Sequence, residues 1–252
     1  MNENITIKEL PVSNFGSIIY GKAFIPQIQC GKLPAVILSH GYNSSHRDVM
    51  DMAAALAKLG VFAYCFDFCG GSCVSKSSGS SVDMSIQTEI RDLKAVSDMV
   101  KSLEFIDGKK LCLYGESQGG FVSALTAAEN PDDFAGLFLL YPAFCIPDDW
   151  KKLADERDID TVELMGMTLS RKFYDELPQY DVFDHIKRYS GNVLIAHGTA
   201  DTVVPIEYSE RLTESFPSAR LVTYQNEGHG FKSEARRQWI DMVCNEFKNS
   251  FK

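Results

Sequence analysis

Short, uninterrupted apolar runs alternate along this chain with longer amphipathic ones. AVILS (35–39), VFAYCFDF (61–68), LCLYG (111–115), FAGLFLLYP (134–142), NVLIAHG (192–198) and ARLVTYQ (219–225) each have the length and composition of a strand. Between them, 47–59, 84–103, 119–129, 206–216 and 233–249 repeat apolar residues at helical spacing, as in Ile86, Ile90, Leu93, Val96 and Val100. Gly60 ends the first of these helices. Strands that are apolar throughout are buried on both faces, so the pattern predicts an α/β fold with a mainly parallel sheet flanked by helices. Residues 4–10 and 17–26 read as strands with no helix between them and are expected to pair antiparallel. A chain of 252 residues can bury this core as one domain.

Two stretches depart from the alternation. GGSCVSKSSGSS (Gly70 to Ser81) reads as a loop. Residues 143–190 mix Trp150, Met165, Met167, Phe173, Tyr174 and Tyr180 with many charges. That stretch is expected to be an insertion at the C-terminal edge of the sheet, where open α/β sheets bind ligands, and so a candidate cap or lid.

A formal net charge of −9 disfavours nucleic acid and anionic membrane as partners, since both need clustered cations. No apolar run approaches the roughly 20 residues of a membrane span, and the N-terminal MNENITIKELPV lacks the pattern of a secretory leader. The seven cysteines are odd in number and scattered, which argues against a disulfide framework and for a cytoplasmic location. The expected partner is a small molecule. The oligomeric state stays open, a homodimer among the options.

The strongest chemical signal is Gly115-Glu116-Ser117-Gln118-Gly119, a G-x-S-x-G pattern between a strand and a helix. A plain Gly/Ser connection would look similar, but the placement favours a nucleophile. On such a turn the serine hydroxyl is lifted above the sheet, and the helix N-terminus behind it stabilises negative charge. A serine hydroxyl needs a base. Of the five histidines, His229 lies in Asn226-Glu227-Gly228-His229-Gly230-Phe231, between the last strand and the last helix. Asp201, in HGTADTVVP just past a strand, is the candidate acid that would orient it, although an Asp there commonly serves a turn or a helix cap. The order Ser117, Asp201, His229 suits an α/β-hydrolase. Asp184 and Asp148 are weaker candidates, because neither follows a clear strand.

An oxyanion would need two fixed donors. The backbone N–H of Gln118 is one candidate; that of Tyr42, in the His40-Gly41-Tyr42-Asn43 turn after AVILS, is the other. His40 and His197 each precede a glycine at a strand end and are expected to shape loops. His46 would line the cleft or cap a helix, and His185 would lie at the surface or where the insertion joins the core.

HGYNSSHRD, FDFCGGS, YGESQGG, HGTADTVVP and NEGHGF together make the chain resemble the α/β-hydrolase superfamily over nearly its whole length. Within it they resemble the small bacterial cinnamoyl/feruloyl esterases and related carboxylesterases. The resemblance implies a Ser/Asp/His triad, a two-amide oxyanion hole, a short cap over an acyl pocket, and no metal or organic cofactor. His40, Trp150 and Tyr180 are then candidate substrate contacts. Peptidase and thioesterase activity on the same machinery are alternatives, as is a non-catalytic ligand-binding protein on this fold. The even spacing of Cys65, Cys69 and Cys73 does not match a zinc site.

Overall fold

Eight strands form one sheet in the order β1-β4-β6-β5-β7-β8-β11-β12 in a computed structural model that describes residues 5–27, 31–156 and 160–250. The strands are β1 (Ile5–Glu9), β4 (Gly21–Pro26), β5 (Leu33–Ser39), β6 (Phe62–Phe66), β7 (Ile106–Glu116), β8 (Gly136–Leu140), β11 (Asn192–Gly198) and β12 (Ala219–Tyr224). From β6 to β12 every neighbouring pair is parallel. At the other edge β4 pairs antiparallel with both β6 and β1, in the register Ile5↔Pro26 to Glu9↔Lys22. The expected α/β architecture and the antiparallel N-terminal pairing are therefore present. Residue 4 of the expected first strand and Cys30 lie outside the described residues.

Some boundaries differ from expectation. The stretch 17–26 divides into β3 (Ser17–Ile19) and β4, because β3 turns back on β2 (Val12–Asn14) through Phe15 and Gly16. The strand before Ser117 begins at Ile106, five residues earlier than its apolar run at 111–115. Its polar start, Asp107–Lys110, interrupts the pairing with β5, whose register shifts between Leu33 and Ala35. Hydrophobicity alone misses such edge residues.

Sequence alternation within a strand sorts the core onto two faces. Ala35 and Ile37 of β5 pack with Ile90, Leu93 and Val96 of α2 (Ile86–Ser102) and with Phe121 and Leu125 of α3 (Gln118–Glu129). Val36 and Leu38 face the opposite way, onto Met52 and Leu56 of α1 (Met50–Ala57) and Trp239 and Val243 of α8 (Ser233–Ser250). Ser85 caps α2 with a reciprocal box, its Oγ accepting from Thr88 N at 3.1 Å and its N–H donating to Thr88 Oγ1 at 2.8 Å.

The region 143–190 holds α4 (Ile146–Glu156), a separate hairpin of β9 (Thr161–Leu164) and β10 (Met167–Ser170), then α5 (Arg171–Asp175) and α6 (Val182–His185). Trp150 of α4 packs on Phe173 of α5, ring centroids 4.8 Å apart. Helix α7 (Ile206–Ser215) joins the last two strands of the sheet.

Candidate active site

Ser117 sits between the end of β7 and the first turn of α3 with φ 52° and ψ −120°, a backbone conformation unusual for any residue with a Cβ. Its surroundings hold it there. The Ser117 N–H donates to Leu140 O at 2.9 Å, and its carbonyl accepts from Gly120 N, Phe121 N and Ala143 N at 3.0–3.1 Å. The turn closes only because its flanking residues lack side chains. A Cβ on Gly115 would lie 2.3 Å from Gly119 O, and one on Gly119 would lie 2.3 Å from His40 O. Ser117 stands at the N-cap position of α3 yet makes no side-chain cap bond, so its hydroxyl remains available.

That hydroxyl lies 2.9 Å from His229 Nε2, and His229 Nδ1 lies 2.8 Å from Asp201 Oδ2. The chemistry of the partners sets the tautomer. An ionised carboxylate only accepts, so Nδ1 carries the proton and the bare Nε2 accepts from Ser117 Oγ–H. Burial works to raise the Asp201 pKa, but hydrogen bonds from His197, His229 and the Val204 and Val203 amides outweigh it and hold the carboxyl below the usual carboxylate range. Both of those amides donate to Oδ1 at 2.9 Å, so the loop after β11 wraps around the carboxylate.

His197 contributes where loop shaping was expected of it. The ring is buried at the end of β11, with Nε2 2.9 Å from Val204 O and 3.3 Å from Asp201 Oδ2. A carbonyl only accepts, so Nε2 carries the proton, and Nδ1 accepts from Ser209 Oγ at 2.6 Å. His197 thus anchors both the loop and the acid it carries.

The Ser117 hydroxyl opens into a cavity of about 510 Å³. Gly41, Tyr42, Gln118 and His229 line it near the serine, and Ile146, Trp150, Leu153, Leu164, Met165, Phe173 and Val203 give it largely apolar walls. Tyr42 and Gln118 are therefore both beside Ser117. Trp150 reaches the cavity. Tyr180 does not: its ring stacks on His185, centroids 4.3 Å apart. Aromatic character alone could not separate a cavity wall from a local ring pair. His40 is also not a cavity residue. It is buried, with Nδ1 donating to Gly41 O at 2.7 Å and Nε2 accepting from Phe68 N at 3.1 Å, so both nitrogens are used in holding the turn.

The remaining candidates fall elsewhere. Asp184 pairs with Lys187 at 2.9 Å and Asp148 accepts from Tyr208 Oη at 2.7 Å. His46 is buried against Asp67, with Nδ1–Oδ1 2.7 Å, and does not line the cavity.

Two supporting groups had no sequence signal of their own. Glu116, beside the serine, is buried and ion-paired at 2.6 Å with Arg236 of α8. Its other oxygen lies 3.4 Å from the hydroxyl of Tyr141, whose ring packs 4.4 Å from that of His229. Glu89 of α2 is fully buried and accepts from Gln118 Nε2 at 2.9 Å; burial pushes its carboxyl up to about 8. The x positions of G-x-S-x-G, 116 and 118, would have pointed to both neighbourhoods.

The sequence profile of the prolyl oligopeptidase family matches residues 47–252, most of the chain. The chain belongs to the prolyl oligopeptidase family. It is a serine hydrolase of the α/β-hydrolase fold. Its overall structure is similar to that of Est1E from Butyrivibrio proteoclasticus bound to ferulic acid, with a TM-score of 0.84 at 25% identity over 95% of this chain and 96% of that one. An uncharacterized protein of Mycobacterium tuberculosis is 26% identical over 210 residues, 83% of this chain and 67% of that protein. Human prolyl endopeptidase FAP is 29% identical over 172 residues, 65% of this chain but only 21% of that protein. This member of the family thus matches only about a fifth of the endopeptidase's length. Among the described residues no helix is long and apolar enough to cross a membrane.

Proposed function

We propose that this chain is a carboxylic ester hydrolase that works through an acyl-enzyme on Ser117, with His229 as base and Asp201 as its orienting acid. The observation that carries the reading is the unbroken series from Asp201 Oδ2 through His229 to Ser117 Oγ, at 2.8 and 2.9 Å, ending in an apolar cavity. His229 takes the Ser117 proton as Oγ attacks the ester carbonyl. The Gln118 and Tyr42 backbone amides hold the oxyanion, each worth roughly a hundred- to a thousandfold in rate. His229 then protonates the leaving alcohol and later activates water that releases the acid, while Asp201 stays ionised and keeps the imidazole oriented.

A cavity of about 510 Å³ suits a small acyl or aryl group, of which a hydroxycinnamoyl (feruloyl-type) group is the foremost candidate. The likeness to ferulate-bound Est1E supports that substrate class. The six described cysteines are unpaired, which fits a reducing compartment such as the cytoplasm. A second reading, peptidase activity, is favoured by the family and by the resemblance to FAP.

The test is twofold. A fluorophosphonate should label the wild-type protein on Ser117 and leave Ser117→Ala unlabelled, folded and without turnover. Esterase activity by a Ser117→Ala protein would refute the assignment. Relative kcat/KM on acetyl and cinnamoyl aryl esters, acyl thioesters and aminoacyl amides then separates esterase, thioesterase and peptidase; preference for the amides would overturn the esterase reading. A protein that neither labels nor turns over any of them would be a binding protein on this fold.

A further inference from the structure

The β9–β10 hairpin has only four residues in each strand and forms a sheet of its own. A two-stranded hairpin is marginal in isolation, so its position depends on what holds it. Its two-residue tip, Met165 and Gly166, has φ of 44° and 85°, with Leu164 paired to Met167. That is the geometry of a tight primed turn. Three consecutive carbonyls, of Leu164 beside the tip and of Met165 and Gly166 in it, each meet a side-chain donor. Tyr42 Oη donates to Leu164 O at 2.9 Å, Asn43 Nδ2 to Met165 O at 3.0 Å, and Cys73 Sγ to Gly166 O at 3.1 Å.

The donors are themselves tied together. Cys73 N donates to Asn43 Oδ1 at 3.0 Å, and Asn43 holds a left-handed backbone with φ 49°. Cys73 comes from the Gly/Ser-rich loop. That loop is fastened to the end of β6 and beyond it: Lys76 N donates to Asp67 Oδ2 at 2.9 Å, and Ser75 Oγ to Phe68 O at 3.1 Å. Leu164 and Met165, at the end of the hairpin and in the cavity wall, are therefore held from the same turn that brings Tyr42 to the cavity beside Ser117.

We propose that Tyr42, Asn43 and Cys73 form a latch that positions the β9–β10 hairpin as a wall of the acyl cavity, making Tyr42 a two-ended positioning residue that couples acyl size to the oxyanion turn. This rests on the serine hydrolase reading above. With the latch intact, Leu164 and Met165 form part of the wall of the space a large acyl group fills. A two-carbon acetyl group fills less of that space and depends less on the wall. Loss of one latch bond therefore weakens binding of large acyl groups and leaves small ones as they were.

The test uses the full-length protein with Cys73→Ala, Cys73→Ser and Tyr42→Phe variants, assayed on p-nitrophenyl acetate and on a cinnamoyl aryl ester. Cys73→Ala should raise KM for the cinnamoyl ester roughly fivefold, as the loss of one hydrogen bond allows, with little change in its kcat. Its acetate kinetics should stay within about twofold of wild type. Cys73→Ser, which restores a donor, should recover the wild-type profile. Tyr42→Phe should shift the cinnamoyl-to-acetyl ratio in the same direction as Cys73→Ala. Amide hydrogen exchange should show residues 164–167 opening more readily in Cys73→Ala and not in Cys73→Ser. Acyl profiles of Cys73→Ala and Tyr42→Phe that superimpose on wild type, with unchanged exchange at the hairpin, would overturn the latch. If the wild-type protein hydrolyses no ester and takes no fluorophosphonate, the hydrolase reading fails instead. The positioning role of the latch is then decided by the exchange data alone.

Discussion

Ser117 adopts a conformation that costs free energy, and its neighbours repay that with four backbone hydrogen bonds at 2.9–3.1 Å. Beside it, His229 and Asp201 are held by what surrounds them. Asp201 stays ionised because its oxygens are taken up by His229, two amides and the approach of His197. Asp201→Asn would donate to His229 where the carboxylate accepts, and so favour the wrong tautomer. We expect kcat to fall by about 10⁴ with the fold intact; a fall of less than tenfold in steady-state kinetics would count against Asp201 as the orienting acid. Glu89 makes the opposite case. Its folded-state pKa of about 8 lies well above that of an unfolded glutamate, about 4, so the folded protein holds that proton more tightly. Its contribution to stability is therefore present at low pH and lost as pH rises through that interval. Glu89→Gln keeps an oxygen for Gln118 Nε2 and removes the ionisation. The melting temperature should rise relative to wild type, and by more at pH 8 than at pH 5. An equal change at both would show that Glu89 does not titrate in this range.

At the level of elements, the turn from β7 into α3 is a packing solution before it is a chemical one. Gly119 brings α3 against the His40 carbonyl at the end of β5, and no side chain fits between them. Gly119→Ala should destabilise by roughly 1–3 kcal/mol, as overpacking does, and should lower turnover by displacing the Gln118 N–H. Urea unfolding and ester kinetics measure the two effects separately. Wild-type stability in that variant would mean that the close approach can relax at no cost.

Across the whole molecule, Arg236 of the last helix joins segments far apart in sequence. It pairs with Glu116 at 2.6 Å and with Asp51 of α1 at 2.7 Å, and donates to Asp48 O at 3.0 Å. The Ser117 turn, the first helix and the last helix are thereby held by one guanidinium, largely shielded from water. Removing it leaves Glu116 buried without its counter-charge. Arg236→Leu should cost about 3–5 kcal/mol, and adding Glu116→Leu should recover much of that. A double variant no more stable than the single one in chemical denaturation would argue that the ion pair is not the source of the loss.

What the sequence determined by itself was the alternation of elements and the candidate chemistry placed at their junctions. The parallel sheet follows from strands apolar on every residue. The Ser117 turn, the Asp201 loop and the His229 loop each follow a run of strand character, so their residues could be named from local pattern. Hydrophobic periodicity is a local property, and so is turn chemistry; both survive in one dimension. Tertiary structure alone decided which side chains share a space. Tyr180 and Trp150 look alike in sequence, yet only Trp150 reaches the cavity, because neighbours from other elements set each ring's direction. Arg236 carries no signal that it faces Glu116, and Cys73 none that it meets Gly166, since each pair is separated by most of a hundred residues or more. Such contacts come from how the sheet, its helices and the 143–190 region stack, and the sequence pattern that builds each element does not encode the distances between them.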